Sequence, residues 1–457
     1  MALSSTIVWE VRSAGSDTNG GGFKTGSIGT DWSQFNSAQY ALTSVTTVAA
    51  NAILLTSSAA ANMVGNIAHI ISGTNFLPGF YEIISVSVGV SITLDATCTS
   101  AAGTTGVVNI GGALATLGKI GSATANQGMV AGNIAWVKGT FTLTATDTIA
   151  TVGTATSPIK IVGYGTTRGD GYLGRTNGNG PLITTNMPAL NYNSTFELSI
   201  TSSFVIAECL NISASINGPT CALGAVSSVI VRSVVVNAST AVGATAITLT
   251  GGSSIVFDCD ATISGVSGAV AAISIGTANA VRVVANRVKG GPAKGIQIAN
   301  SVGALVAFNI VYASAGNGIV TTNTVAIPHI LCNTVPGDAD GINILTGTGA
   351  LQFIVGNLLS DNTAFGINLV SAANAAFLAY NRTRNNNSGA INLGTGWAAA
   401  TNYGPVTTDL GTDFVNAGSN DYRLIPTSPA KNAGLPASRS IGALEPPPLG
   451  ASHVWAE

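Results

Sequence analysis

Charge is the scarcest feature of this chain. Of 457 residues, 17 are Lys or Arg and 19 are Asp or Glu, 8% in all, for a formal net charge of −2. No basic stripe is available to neutralise phosphates, which argues against a nucleic-acid partner. Between Gly295 and Gly337 there is no Asp, Glu, Lys or Arg. The mean hydropathy is +0.44, but Asn, Gln, Ser or Thr breaks every apolar stretch. No window reaches the ~18–20 consecutive apolar residues of a spanning helix, so membrane insertion is not expected. The opening MALSSTIVWE has neither the basic nor the apolar region of a secretion signal, and none is expected. Cysteines are few and odd in number: Cys98, Cys209, Cys221, Cys259 and Cys332. Their irregular spacing reads as reduced thiols in a protein made in a cytoplasm. His329 and Cys332, three apart in a strand-like stretch, point to opposite faces, so no metal site is expected there. Gly20–Gly22 lacks the following Lys-Ser/Thr or helix of a phosphate loop, and no cofactor is expected.

What the chain does have is glycine, 56 residues of it, together with small, β-branched and uncharged polar side chains. That mixture suits strands and tight turns. At 46% hydrophobic residues it is too apolar for disorder.

A repeat organises these residues. VANRV (284–288), AFNIV (307–311), LCNTV (331–335), VGNLL (355–359) and AYNRT (379–383) place Asn286, Asn309, Asn333, Asn357 and Asn381 at spacings of 23, 24, 24 and 24. Upstream, Asp260, Ser233 and Glu208 extend the register at 26, 27 and 25. A second motif follows each: AITL (246–249), AISI (272–275), GIQI (295–298), GIVT (318–321), GINI (341–344), GINL (366–369) and AINL (390–393). A period near 24 with two short alternating strands, room for a third, and no helix-length segment predicts an all-β fold, a right-handed single-stranded parallel β-helix. A leucine-rich repeat is set aside, since its leucine pattern and helical half are missing. Apolar flanks put the five Asn side chains on the inner face, where stacked amides form a structural ladder. In the second motif the isoleucines face in. Thr248, Ser274, Gln297, Val320, Asn343, Asn368 and Asn392 face out as a flat, uncharged, mostly polar row.

The Asn-bearing rungs resemble the parallel β-helix repeat family, and DYRLIPTSPAKNAG with IGALEP (421–434, 441–446) resembles the closing segment many of its members carry. VWEVRSAGSDTNGGGF (8–23), residues 63–83, GGALATLG (111–118) and IVGYGTTRGDG (161–171) are similar to segments of tailed-phage β-helix proteins. The resemblance implies a virion protein and a homotrimer; it carries no catalytic motif. On this reading residues 1–44 enter the β-helix. Residues 45–112 form a small inserted antiparallel β-barrel. Residues 113–400 form the β-helix, residues 401–445 close it, and residues 446–457 are an extended proline-led tail. Trp455 is its candidate anchor for a neighbouring subunit.

Candidate chemistry is sparse. PGDADGIN (336–343) brings Asp338 and Asp340 together in the turn between the two motifs, with Asp361 one coil on. Coil spacing is compatible with the ~5–5.5 Å or ~6.5–9.5 Å carboxyl separations of glycosidases. A cation site is a second reading. Plain turn chemistry is the third, and it is favoured, because Asp and Asn hydrogen-bond local backbone and no His, Tyr or Glu completes an acid/base set. Asp258 and Asp260 are read the same way, and Arg168-Gly169-Asp170 as a chance turn. The expected function is a non-enzymatic structural protein of a phage virion. It would be a surface-displayed β-helix of head-decoration, fibre or tail-spike type, assembled in the host cytoplasm and meeting itself, other virion proteins and host surface glycan. The alternatives are a glycan-degrading tailspike depolymerase and a bacterial surface adhesin.

Overall fold

A computed structural model describes residues 3–430, apart from residues 125, 177, 179, 194–195, 217–220, 226, 241–244, 266–269, 323–327, 346–351, 371–375, 395–401, 404–413, 418–420 and 429. The tail with Trp455, and most of the segment expected to close the β-helix, lie outside the described residues. The described chain is all-β, a parallel β-solenoid of about nine turns, and falls into two compact units.

The first unit comprises residues 1–171, 185–190 and 198–210. Its parallel ladder joins Ile7–Arg12, Ile134–Lys138, Ile159–Gly163 and Val205–Glu208, with Gly22–Lys24 antiparallel at the edge. The long excursion after the first of these strands is an antiparallel sheet of six strands. Their order is Tyr40–Val45, Thr99–Ile110, Ile67–Phe76, Gly79–Ser87, Ser91–Leu94 and Ile53–Leu55. One bridge, Thr46 with Leu55, brings its outer strands together. The first strand thus starts at Tyr40. Leu54, Met63, Ile70, Tyr81, Ile83, Ile92 and Val108 fill its interior.

The second unit comprises residues 172–184, 191–197 and 211–457. Each coil contributes one strand to each of three parallel sheets. A typical coil uses Leu305–Ala307 in the first sheet, Ile310–Ser314 in the second and Ile319–Thr321 in the third. Strands of neighbouring coils pair in register, Val306 with Ile330 and Ile319 with Ile342. The interior is apolar at every level: Val283, Val306, Ile330 and Ile354 from the first sheet, Ile273, Ile296, Ile319, Ile342 and Ile367 from the third.

The Asn motif is a corner, not a strand. In each coil the first-sheet strand stops two residues before the Asn. The intervening residue takes a left-handed conformation: Ala285, Phe308, Cys332, Gly356 and Tyr380 have φ of 58°, 58°, 53°, 69° and 53°. The second-sheet strand starts just after. That bend aims the Asn inward and leaves backbone groups that its amide satisfies. The same left-handed corner recurs at Cys209, Ser233 and Asp258. The positions equivalent to the Asn row are therefore Leu210, Val234 and Cys259, all fully buried. The upstream register expected at Glu208, Ser233 and Asp260 is displaced by one or two residues, because the ladder position there is apolar and the corners are spaced unevenly, at 24, 25 and 27 residues up to Asn286.

Candidate functional site

Asn286, Asn309, Asn333, Asn357 and Asn381 form one buried column. Each Nδ2 donates to the next Oδ1 at 3.0, 3.0, 3.0 and 2.9 Å. Each Oδ1 from Asn309 onward also accepts the preceding Asn backbone N–H, at 2.9–3.1 Å. The amides further donate to carbonyls of the coil before, such as Asn333 Nδ2 to Val306 O at 2.9 Å.

A second column stands at the other corner, and it absorbs the acidic turn. Its members are Ser314, Asp338, Asn362 and Asn386, at a spacing of 24 throughout. Asn362 Nδ2 donates to Asn386 Oδ1 at 2.8 Å and to Val335 O at 3.3 Å. Asp338 N donates to Asn362 Oδ1 at 2.9 Å, and Ser314 N donates to Asp338 Oδ1. These side chains press on the glycine of the second motif. An added Cβ would lie 2.6 Å from Asp338 Oδ2 at Gly318, 3.0 Å from Asn362 Nδ2 at Gly341 and 2.9 Å from Asn386 Nδ2 at Gly366. Closer still are Val335 Cγ1 at Gly318, 2.2 Å, and the carbonyl oxygens of Gly366 at Gly341 and Ala390 at Gly366, 2.7 and 2.8 Å, so glycine recurs where the column and the neighbouring coil leave no room for a side chain.

The three candidate carboxylates therefore part company. Asp338 is 1% exposed, and its Oδ2 is buried without a hydrogen-bond partner. Burial pushes its carboxyl well above the usual carboxylate range, against the opposing effect of its Ser314 contacts. Asp340 is tethered on every side. Its Oδ1 accepts Phe365 N at 3.0 Å, its Oδ2 accepts the amides of Asn343 and Asn368, and its backbone N–H donates to Asn317 Oδ1 at 3.2 Å. Asp361 sits at a left-handed corner, φ 57°, and its side chain is 43% exposed near Asn385 and Arg384. Asp338 points in and Asp361 points out, so these two carboxylates cannot face one sugar ring.

The row from Thr248 to Asn392 is in register along the third sheet. It is less open than the alternation predicts. Val320 and Asn343 are buried, the others half-buried. Neighbours lean over it: Lys294 Nζ donates to Gln297 Oε1 at 3.1 Å, and Asp340 holds Asn343 and Asn368. Asn392 Nδ2 donates to Asn368 Oδ1 at 2.9 Å.

Two charge clusters escaped the sequence reading. In the first unit, fully buried Glu10 accepts Arg12 Nε at 2.8 Å, Arg168 Nε and Nη2 at 2.9 and 2.7 Å, and the Tyr164 hydroxyl. Arg168 also reaches Asp31 Oδ2 at 3.2 Å, and Asp170 caps three N–H groups of its loop. Arg168-Gly169-Asp170 is a turn whose two charged side chains bond within the first unit. In the second unit, Arg175 grips Asp258 Oδ1 at 2.7 Å and Asp260 Oδ1 at 2.6 Å. Both clusters are satisfied internally. Only distant partners such as residues 10 and 168 would have shown them in the sequence. Among the described residues no group of His, Cys, Asp and Glu is arranged to hold a metal ion.

Three parallel sheets stacked coil upon coil, with amide ladders at their corners, define a parallel β-helix. No family model matches the chain, and no curated protein matches it in sequence. Solved structures similar to it include pectate lyase Pel9A, at 13% identity over 70% of this chain and 89% of that one, TM-score 0.42. ORF18 of Geobacillus virus E2 is similar at 13% over 62% and 56%, TM-score 0.33. The Dettilon tailspike protein is similar at 13% over 59% and 62%, TM-score 0.27.

Proposed function

We propose that this chain is a non-enzymatic structural protein of a phage particle, a rigid β-helix displayed on its surface. The observation that carries the reading is the fate of the acidic turn. Asp338 is a rung inside the wall, and Asp340 is bonded to four groups of its own and adjacent coils. A general acid or base must reach the proton it transfers, and a carboxyl 1% exposed reaches nothing outside the coil. The phage-like N-terminal segments support a virion origin, and a chain so poor in charge is suited to self-association. Its partners on this reading are further copies of itself, other particle proteins and the host surface glycan. The test is gold labelling of purified particles with antibody against the chain. Label on the outside of intact particles is expected. Protein found only free in the lysate would reject a place on the particle.

A further inference from the structure

The two corner columns differ in one respect. The first, from Asn286 to Asn381, is built of amides alone and has nothing to titrate. The second holds a carboxyl, Asp338, between Ser314 and Asn362.

That carboxyl stands in the place of an amide. Asn362 and Asn386 direct Nδ2 to carbonyls 27 residues back, Val335 O at 3.3 Å and Leu359 O at 3.2 Å. Asp338 Oδ2 approaches Gly318 as Asn362 Nδ2 approaches Gly341, so an oxygen holds the donor's position. The same register directs it toward Val311 O. An ionised oxygen offers a carbonyl nothing, whereas a neutral acid can donate to it. The Oδ2 atom is buried without a hydrogen-bond partner, and an unanswered polar group in a coil wall is costly.

The charged and titratable groups around it are engaged with other partners. Asp340, two residues on, is held by Phe365, Asn343 and Asn368. Asp361, on the next coil, lies 3.8 Å from Arg384. Phe414 and Tyr422, from the C-terminal strand pair, pack on Ile310, Tyr312 and Leu358, with the Tyr312 and Tyr422 rings 5.4 Å apart. Arg287 lies over the Tyr312 ring at 4.7 Å. Burial first, then Tyr312, Asp338 and Asp361, push the Tyr422 hydroxyl up against the effect of Arg287, so it stays neutral. Among the described residues no cation bonds Asp338.

We propose that the second corner is a pH-sensitive latch, closed while Asp338 is a neutral acid and loosened when Asp338 ionises, with the first corner unaffected. Burial holds the folded carboxyl well above its ordinary value. Closure is therefore complete below the ordinary value, is lost as pH rises to the folded one, and changes no further above it.

The test is hydrogen exchange of the full-length chain from about pH 4 to about pH 9, resolved by overlapping peptides and fragmentation and corrected for intrinsic rates. Amides of Ser314–Gly318 and Asp338–Gly341 should open about tenfold more for each pH unit between the two values and then level off. Amides of Asn309 and Asn333, at the first corner of the same coils, should show no such slope. Asp338→Asn should flatten the profile. So should Asp338→Ser, which gives position 338 the residue that position 314 already carries. Asp361→Asn should keep the wild-type profile. Circular dichroism checks that every variant is folded. A flat wild-type profile would overturn the latch. So would a slope that survives in a folded Asp338 variant, or the same slope at Asn309 and Asn333.

Discussion

Replacing Asp338 by Asn should stabilise the protein at neutral pH. In the second column, Asn362 and Asn386 direct Nδ2 to the carbonyls of Val335 and Leu359, 27 residues back, and Asn362 Nδ2 also donates to the next Oδ1. Asp338 places an oxygen where those amides place a donor, as the matching approach to Gly318 shows. By the same register, an amide at position 338 would be directed to Val311 O and Asn362 Oδ1. As a carboxylate, Asp338 Oδ2 offers them nothing; as a neutral acid it can supply one proton. An amide supplies two. Relieving one unsatisfied buried group and adding a bond is worth about 1–3 kcal/mol. The pH dependence has a definite sign. The folded carboxyl titrates well above its ordinary value, so its contribution to stability is complete in acid, below the unfolded value, and is lost as pH rises through the folded one. The advantage of the Asp338→Asn variant should therefore be small near pH 4 and grow toward pH 8. Local hydrogen exchange by mass spectrometry reads it directly. Peptides holding Ser314 and position 338 should exchange about 5–150-fold more slowly in D338N at pH 8, once corrected for intrinsic rates. Equal or faster exchange, or a difference independent of pH, would refute the reasoning.

Other outcomes follow from the same packing. Asn333→Ala removes four ladder bonds and strands the Asn309 amide and Val306 carbonyl, and should cost about 3 kcal/mol or more in chemical denaturation. Asp361→Asn, at an exposed corner, should stay within about 0.5 kcal/mol of wild type in the same assay. His69 is buried, stacks on Phe80 and has its pKa lowered to about 4, chiefly by burial. Its ring should show no titration between pH 5 and 8 by NMR. Its contribution, complete above the unfolded value near 6.5, should fade as pH drops through about 4. Burial pushes the thiols of Cys98 and Cys259 up to about 11 and about 12, so alkylating reagents at pH 8 should label them only after unfolding.

The coil architecture was legible because Asn286 to Asn381 recur at a nearly constant spacing between apolar flanks. Upstream the rule fails for a physical reason. Leu210, Val234 and Cys259 hold the same corner without an amide, and only backbone conformation identifies them. The second column was equally periodic, but its members are Ser, Asp, Asn and Asn, and a carboxylate in a turn draws attention as chemistry before it reads as a rung. The clasp of Glu10 and Arg168 joins residues 158 apart, beyond any local pattern. The packing of Phe414 and Tyr422 with Tyr312 was hidden too, since neither follows a repeat that would place it there.

The most direct measurement is depolymerisation of the host surface glycan by the purified full-length chain, followed as released oligosaccharide and new reducing or unsaturated ends. With Asp338 walled in and Asp340 tethered, no product should form, and the Asp338→Asn/Asp340→Asn/Asp361→Asn chain should behave as the wild type does. Release of oligosaccharide by the wild type, lost in the folded triple variant, would contradict the structural role assigned to this turn.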